Sequence, residues 1–280
     1  MPWQAIGSAW LPRAGCMRKH SCTKTAGNRL STLKHLVPVP VRQWLRSRQK
    51  AAQKSLIHLD RVTDWSVLRR VQPYRPEFGG RRGQYIDRFY IEQFLAAHQE
   101  CIRGRVAEME SPQYTQRFGA GRVLQSDVLD INESNTLRTM TVDLARPEEA
   151  PENLLDCFLC TQTIFLIRDY AAAIRAAHKM LKPGGTLLAT VPGISPRVPQ
   201  SLVAGAGEDW WRFTARSARL AFGAVFGEDR VDVRSYGNVL TTTAFLQGLV
   251  QEELTQDELA YNDPDFELIL GIKAVKSASA

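Results

Sequence analysis

Leu181-Lys182-Pro183-Gly184-Gly185-Thr186-Leu187-Leu188 places a helix stop and a strand start within a few residues. Pro183 lacks the backbone N–H that a helix needs and so cannot continue one, and the two glycines are expected to supply the positive-φ positions of a sharp turn. Before this turn, Ala171 to Leu181 carries helical spacing; after it, residues 185–191 form a short apolar run of strand length. Further runs of that kind lie at 104–109, 121–125, 137–142 and 155–160, and again at 230–236 and 266–275. Helical patterns fall among them, at Ala215 to Phe226 with Thr214 as its cap and at Thr241 to Leu254. Strands alternating with helices imply βαβ units and a mostly parallel sheet.

Upstream, Tyr85 to Gln99 sets Ile86, Phe89, Tyr90, Phe94 and Leu95 at helical spacing, which predicts an amphipathic helix lying on that sheet. Pro73, Pro76, Gly79, Gly80 and Gly83 break regular structure, so residues 60–84 read as a linker and entry loop. The domain is therefore expected over residues 85–276. Residues 1–59 form a basic leader outside the fold, with a weak amphipathic helical pattern from Val41 to Ile57. Rich in Arg, Lys, Ser and Thr, and without an acid before Asp60, the leader has the composition of an organellar transit peptide. A start codon set too far upstream would give the same composition, and both readings stay open.

Charge is divided just as unevenly. Residues 1–75 hold 15 Lys and Arg against Asp60 and Asp64, which leaves 21 basic and 27 acidic residues for 76–280. The net +7 thus belongs to the leader, and the mildly acidic core offers no basic stripe to track a nucleic-acid backbone. No apolar run approaches the roughly 18 residues of a membrane span. Five cysteines do not describe a disulfide scaffold, and a reducing cytoplasm is the expected compartment. Cys157 and Cys160 make a CxxC inside an apolar run, without a second pair or a nearby His, and are read as buried small hydrophobes; no metal is assigned.

A helix ending LKPGG before a strand ending Val191-Pro192-Gly193 resembles the connection to the fifth strand of class I, S-adenosylmethionine-dependent methyltransferases. The upstream order is similar to theirs as well. Arg105-Val106-Ala107-Glu108-Met109 resembles their first strand, Arg122 to Asp127 the second, Met140 to Leu144 the third and Leu155 to Gln162 the fourth. Gly83 to Glu92, Asp209-Trp210-Trp211-Arg212-Phe213-Thr214 and Ser235-Tyr236-Gly237-Asn238-Val239 resemble a type 11-like group associated with glycosyltransferases of polysaccharide synthesis. The likeness implies a Rossmann-like, doubly wound, mostly parallel seven-stranded sheet with helices on both faces.

It also implies site residues, because ligands of this fold lie outside the carboxyl ends of the strands. Asp127, after the second strand, corresponds to the acid that accepts the ribose hydroxyls, and Asp143, beside Leu144, to the acid at the adenine amino group. Thr161 and Gln162 correspond to the residues facing the sulfonium and the acceptor. In the first loop the family pattern is acid-x-Gly-x-Gly-x-Gly, whose small residues admit backbone amides to the cofactor. Glu108 keeps the acid, while Glu110, Pro112 and Tyr114 stand at the glycine positions, so Glu110 brings a carboxylate to the methionine end.

Trp210, Trp211 and Arg212 are candidates for stacking on and hydrogen bonding to an acceptor, or for packing at a helix entry. Asp209 is the candidate general base for a hydroxyl acceptor, preferred to His178, which falls inside the helix before LKPGG. The expected function is methyl transfer from S-adenosylmethionine to an oxygen or nitrogen of a small molecule or glycan, with a glycosyltransferase as a possible partner. The alternative is a catalytically degenerate protein of the same fold that binds a partner in glycan synthesis. An RNA methyltransferase would draw on the basic leader, and a nicotinamide enzyme lacks its G-x-G-x-x-G after the first strand.

Overall fold

The first helix of the domain forms because its apolar residues recur every three or four positions. In this computed structural model, α1 (Ile86–Ala97) buries Ile86, Tyr90, Ile91, Phe94 and Leu95 along one stripe. The structure describes residues 69–76, 83–198 and 208–278, and residues 70–280 form one compact unit. The basic leader and the helical pattern from Val41 to Ile57 lie outside the described residues.

Six strands follow: β1 (Gly104–Met109), β2 (Val123–Leu129), β3 (Leu155–Thr161), β4 (Leu181–Pro192), β5 (Val231–Tyr236) and β6 (Ile269–Val275). Their order across the sheet is β2-β1-β3-β4-β6-β5. The first four run parallel, and β6 lies antiparallel between β4 and β5. The chain moves outward from β1 to β2 and then crosses back to β3 on the other side of β1. That reversal opens a crevice at the carboxyl ends of β1 and β3, where a doubly wound sheet holds its ligands.

Helices cover both faces, as alternation along the buried strands requires. Phe158 and Cys160 point into the cluster beneath α2 (Tyr170–Met180) and α3 (Ala215–Phe226), with Ile174 and Phe222 as partners. Cys157 and Leu159 point the other way, to Tyr90 and Phe94 of α1 and Ala244 of α4 (Val239–Leu246). The two thiols of the CxxC, three positions apart, therefore sit on opposite faces of one strand and cannot share a metal. Burial pushes the Cys160 thiol up to about 12 and Cys157 higher still.

Three expectations are corrected. The segment expected as a third strand pairs only through the single parallel bridge of Met140 with Leu129, so the sheet has six strands and not seven. Its backbone is taken up by local turns instead: the Asp143 carboxylate accepts from the Ala145 amide at 2.8 Å, and Asn132 and Asn135 accept from the amides two residues on. Such side-chain bonds offer the backbone an alternative to a sheet ladder. The helix expected from Thr241 to Leu254 stops at Leu246, because Gly248 takes φ +74° hard against the Arg75 carbonyl, where a Cβ would lie 2.0 Å from that oxygen. In the LKPGG turn only Gly184 has positive φ (+78°), and the helix has already ended at Met180. Gly185 is needed for space, since a Cβ there would stand 2.9 Å from the carbonyls of Leu155 and Lys182. Thr214 caps α3 as expected, accepting from the Ser217 amide.

Candidate functional site

The carboxyl end of β1 is organised by a buried acid. Glu108 accepts from the backbone amides of Tyr114 (3.0 Å) and Thr115 (2.7 Å), folding the following loop back over the strand. Burial pushes its carboxyl above the ordinary range, and those two amides pull the other way. The oxygens of Glu108 are committed to this loop. The next residue but one, Glu110, has φ +64°, a left-handed conformation that costs an L-residue about 1–2 kcal/mol. Its amide donates to the Leu129 carbonyl and its carbonyl accepts from Asn135, so neighbouring strands and loops hold it there. A glycine would take this position without strain.

Around this end of the sheet lies a cavity of about 260 Å³. Met109 and Glu110 line it at the end of β1, Asp130 and Ile131 after β2, then Val142 to Ala145, Thr163 and Leu166 to Arg168 after β3, and Trp210. It therefore spans the crevice that the strand order predicts. Asp130 is held facing it by Asn132, whose amide donates at 2.8 Å, and by the Asn135 side chain at 2.7 Å. Asp143 lies opposite, fixed by the Ala145 amide and within 3.5 Å of Arg146. Apolar Val142, Leu144 and Ile131 line the same cavity as the two acids.

Not every expected residue is here. Asp127 stands inside β2, two residues short of its end, only 5% exposed and paired with Arg105 at 2.6 Å; it does not line the cavity. Sequence reasoning missed Asp130, although apolar Val128 and Leu129 after Asp127 signal that the strand runs on. Thr161 stays in the β3–β4 ladder opposite Thr190, and Thr163 takes its place at the cavity. Gln162, at φ +50°, lines a second, smaller cavity instead. Two of the four non-glycine residues with positive φ among the described residues, Glu110 and Gln162, thus sit just past the ends of the adjacent strands β1 and β3.

The segment from 209 to 212 divides its residues between packing and site. Trp210 lines the larger cavity, with the Arg168 guanidinium 5.6 Å from its ring centre. Trp211 is a packing residue: its indole N–H donates to the carbonyls of Ile167 and Arg168, and Tyr170 meets it edge-on. Arg212 borders the smaller cavity, tied to the Pro196 carbonyl and to both oxygens of Asp209.

Asp209 is thereby corrected as a catalytic base. Its side chain is 4% exposed, lines neither cavity, and also accepts from the Val198 amide at 2.6 Å. Burial alone would raise its carboxyl, yet Arg212 and that amide outweigh burial and hold it below the ordinary value. His178 packs edge-on against Phe226 between α2 and α3, away from both cavities; burial, then Lys276, lower its proton affinity.

The smaller cavity, about 70 Å³, adjoins the same β3 loop and is lined by Asp87, Gln162, Phe165, Ser195, Arg212 and Phe245 among others. Sequence reasoning did not single out Asp87. The signal was present, since Asp87 falls on the buried stripe of α1 with Tyr90, Ile91, Phe94 and Leu95, the one acid at an apolar spacing. Among the described residues no group of His, Cys, Asp and Glu could hold a metal ion, and no helix is long and apolar enough to cross a membrane.

No family model and no curated protein matches the chain. Among solved structures it is similar to a SAM-dependent methyltransferase from Archaeoglobus fulgidus, with 11% identity, 68% of this chain and 94% of that one covered, and a TM-score of 0.43. It is similar also to a possible histamine N-methyltransferase from Thermotoga maritima, with 14% identity, coverage of 69% and 92%, and a TM-score of 0.45. A 4+2 cyclase is a third, at 17% identity, 75% and 88% coverage and a TM-score of 0.45. Likenesses at this level assign neither a ligand nor a reaction.

Proposed function

We propose that the protein is an S-adenosylmethionine-dependent methyltransferase acting on an oxygen or nitrogen of a small molecule or glycan. The observation that carries this reading is the cavity at the carboxyl ends of β1, β2 and β3, whose lining combines the carboxylates of Asp130 and Asp143 with the apolar side chains of Ile131, Val142 and Leu144. That donor set fits an adenosyl group: a carboxylate for ribose hydroxyls, an apolar slot for the adenine ring, and a second carboxylate for its amino group. Asp130 takes the ribose role given above to Asp127, and Asp143 keeps the adenine role. Glu110 faces the methionine end, where its negative charge suits an α-ammonium.

When bound, this cofactor supplies a methyl group on a positively charged sulfur, reactive enough that positioning provides much of the rate. The chain's residues hold the two ligands in line and exclude water. Trp210, which lines the cavity, offers a stacking face for a sugar or other ring. The resemblance of residues 83–92, 209–214 and 235–239 to the polysaccharide-associated group is what speaks for a glycan acceptor and a glycosyltransferase partner, and the cysteine usage is what speaks for a cytoplasmic site of action.

The alternative, a degenerate fold that binds a partner, is favoured by one observation, the presence of Glu110 and Pro112 where glycines are usual. Calorimetric titration of S-adenosylhomocysteine into the full chain separates the two. Micromolar binding is expected, and a folded protein that takes up none at millimolar ligand would overturn the methyltransferase reading.

A further inference from the structure

The smaller cavity is bordered by Asp87, an acid in the first turn of α1 whose side chain is only partly satisfied. One oxygen of Asp87, Oδ1, is buried without a hydrogen-bond partner, whereas Asp127, Asp209 and Glu108 are each satisfied by at least two donors. Asp87 borders this cavity together with Gln162, Phe165 and Arg212. Arg212 does not neutralise it, being engaged by Asp209. Gln162 and Thr163 are consecutive, and they line the smaller and the larger cavity respectively, so both cavities border the loop that follows β3. At about 70 Å³ the smaller one has room for several waters, or for the hydroxyl-bearing end of a larger molecule.

We propose that this cavity receives the hydroxyl of the methyl acceptor and that Asp87 is the general base that takes its proton. The inference rests on reading the larger cavity as the cofactor site. The acceptor O–H bond breaks as its proton passes to the Asp87 carboxylate, and the oxygen lone pair forms the new bond to the methyl carbon. The sulfur–methyl bond breaks with its electron pair returning to sulfur, and Asp87 then yields the proton to solvent. Burial raises the Asp87 carboxyl above its ordinary value, against the opposing pull of the Arg88 charge and of backbone amides.

The test uses the full chain and Asp87→Asn. S-adenosylhomocysteine titration comes first, and its absence from the wild type overturns the cofactor reading and this proposal with it. Given binding, tritiated methyl groups from S-adenosylmethionine are offered to a panel of methyl glycosides, nucleotide sugars and primary amines. Label is expected on a hydroxyl acceptor, with kcat about 100-fold lower in Asp87→Asn and cofactor affinity within twofold. Melting temperature supplies a readout independent of turnover. Replacing a buried unpaired carboxylate with a neutral isostere should raise it by about 2–4 °C, whereas a merely structural acid would lower it. Unchanged kcat in the variant, a fall in melting temperature, or label on amines alone or on no panel member by a chain that binds S-adenosylhomocysteine would each overturn the assignment.

Discussion

Asp127 and Asp130 stand three residues apart on one strand and its end, yet their surroundings are opposite. Asp127 is inside β2, covered, and held by the Arg105 guanidinium, with Gln125 and Thr139 also within reach. Asp130 is past the last strand residue, fixed by Asn132 and Asn135 so that it borders the cavity. Asp209 and Asp87 repeat the contrast on the other side of the crevice. Asp209 is saturated by Arg212 and the Val198 amide, and Asp87 keeps an unpartnered oxygen beside the smaller cavity. The two consumed carboxylates, Asp127 and Asp209, are each paired with an arginine side chain, while Asp130 and Asp87 line a cavity.

The contrast is most easily broken at Asp209. Removing it leaves the Arg212 guanidinium short of its partner, so Asp209→Ala should cost about 3 kcal/mol in urea unfolding; a loss below about 1 kcal/mol would mean that the pair is not structural. The sign of the pH dependence follows. A carboxyl held below its unfolded value contributes stability above that unfolded value and loses it as pH falls through the lower folded value. Melting temperature should therefore drop on acidification with an added slope that Asp209→Asn lacks.

A smaller effect is expected at Asp127, where Asp127→Ala should cost about 1.5–3 kcal/mol of stability, the worth of a charged hydrogen bond, while cofactor affinity stays within a few-fold. Glu110→Gly sharpens the comparison at the end of β1. Relief of the left-handed strain should stabilise the fold by about 1 kcal/mol in thermal melts, and S-adenosylhomocysteine affinity should fall several-fold if the carboxylate meets the methionine ammonium. A variant that gained neither stability nor lost affinity would show that Glu110 is indifferent.

The alternation of strands and helices was legible because parallel strands covered on both faces read as short apolar runs, and α1 because its stripe has helical period. The LKPGG turn was legible through Pro183 and Gly184. The third strand misled because Met140 to Leu144 has strand composition, while Asn132, Asn135 and Asp143 divert the backbone into turns. The site was less readable for a geometric reason. Which acid ends β2 depends on where the strand stops, and a three-residue difference in its end moves the assignment from Asp130 to Asp127. Asp209 matched a motif position, but nothing local in the sequence reveals the Val198 amide, eleven residues away, that accompanies Arg212 in satisfying it. Asp87 owes its setting to residues from α1, the β3 loop and the 209–214 segment brought together only by folding.

The most direct measurement is a calorimetric comparison of S-adenosylhomocysteine binding to the wild type, Asp130→Ala and Asp127→Ala, each shown to be folded. Micromolar binding weakened about 10- to 100-fold by Asp130→Ala and little changed by Asp127→Ala is the expected result, since losing a charged hydrogen bond to the ligand costs about 1.5–3 kcal/mol. Binding lost through Asp127→Ala but kept in Asp130→Ala would contradict the account.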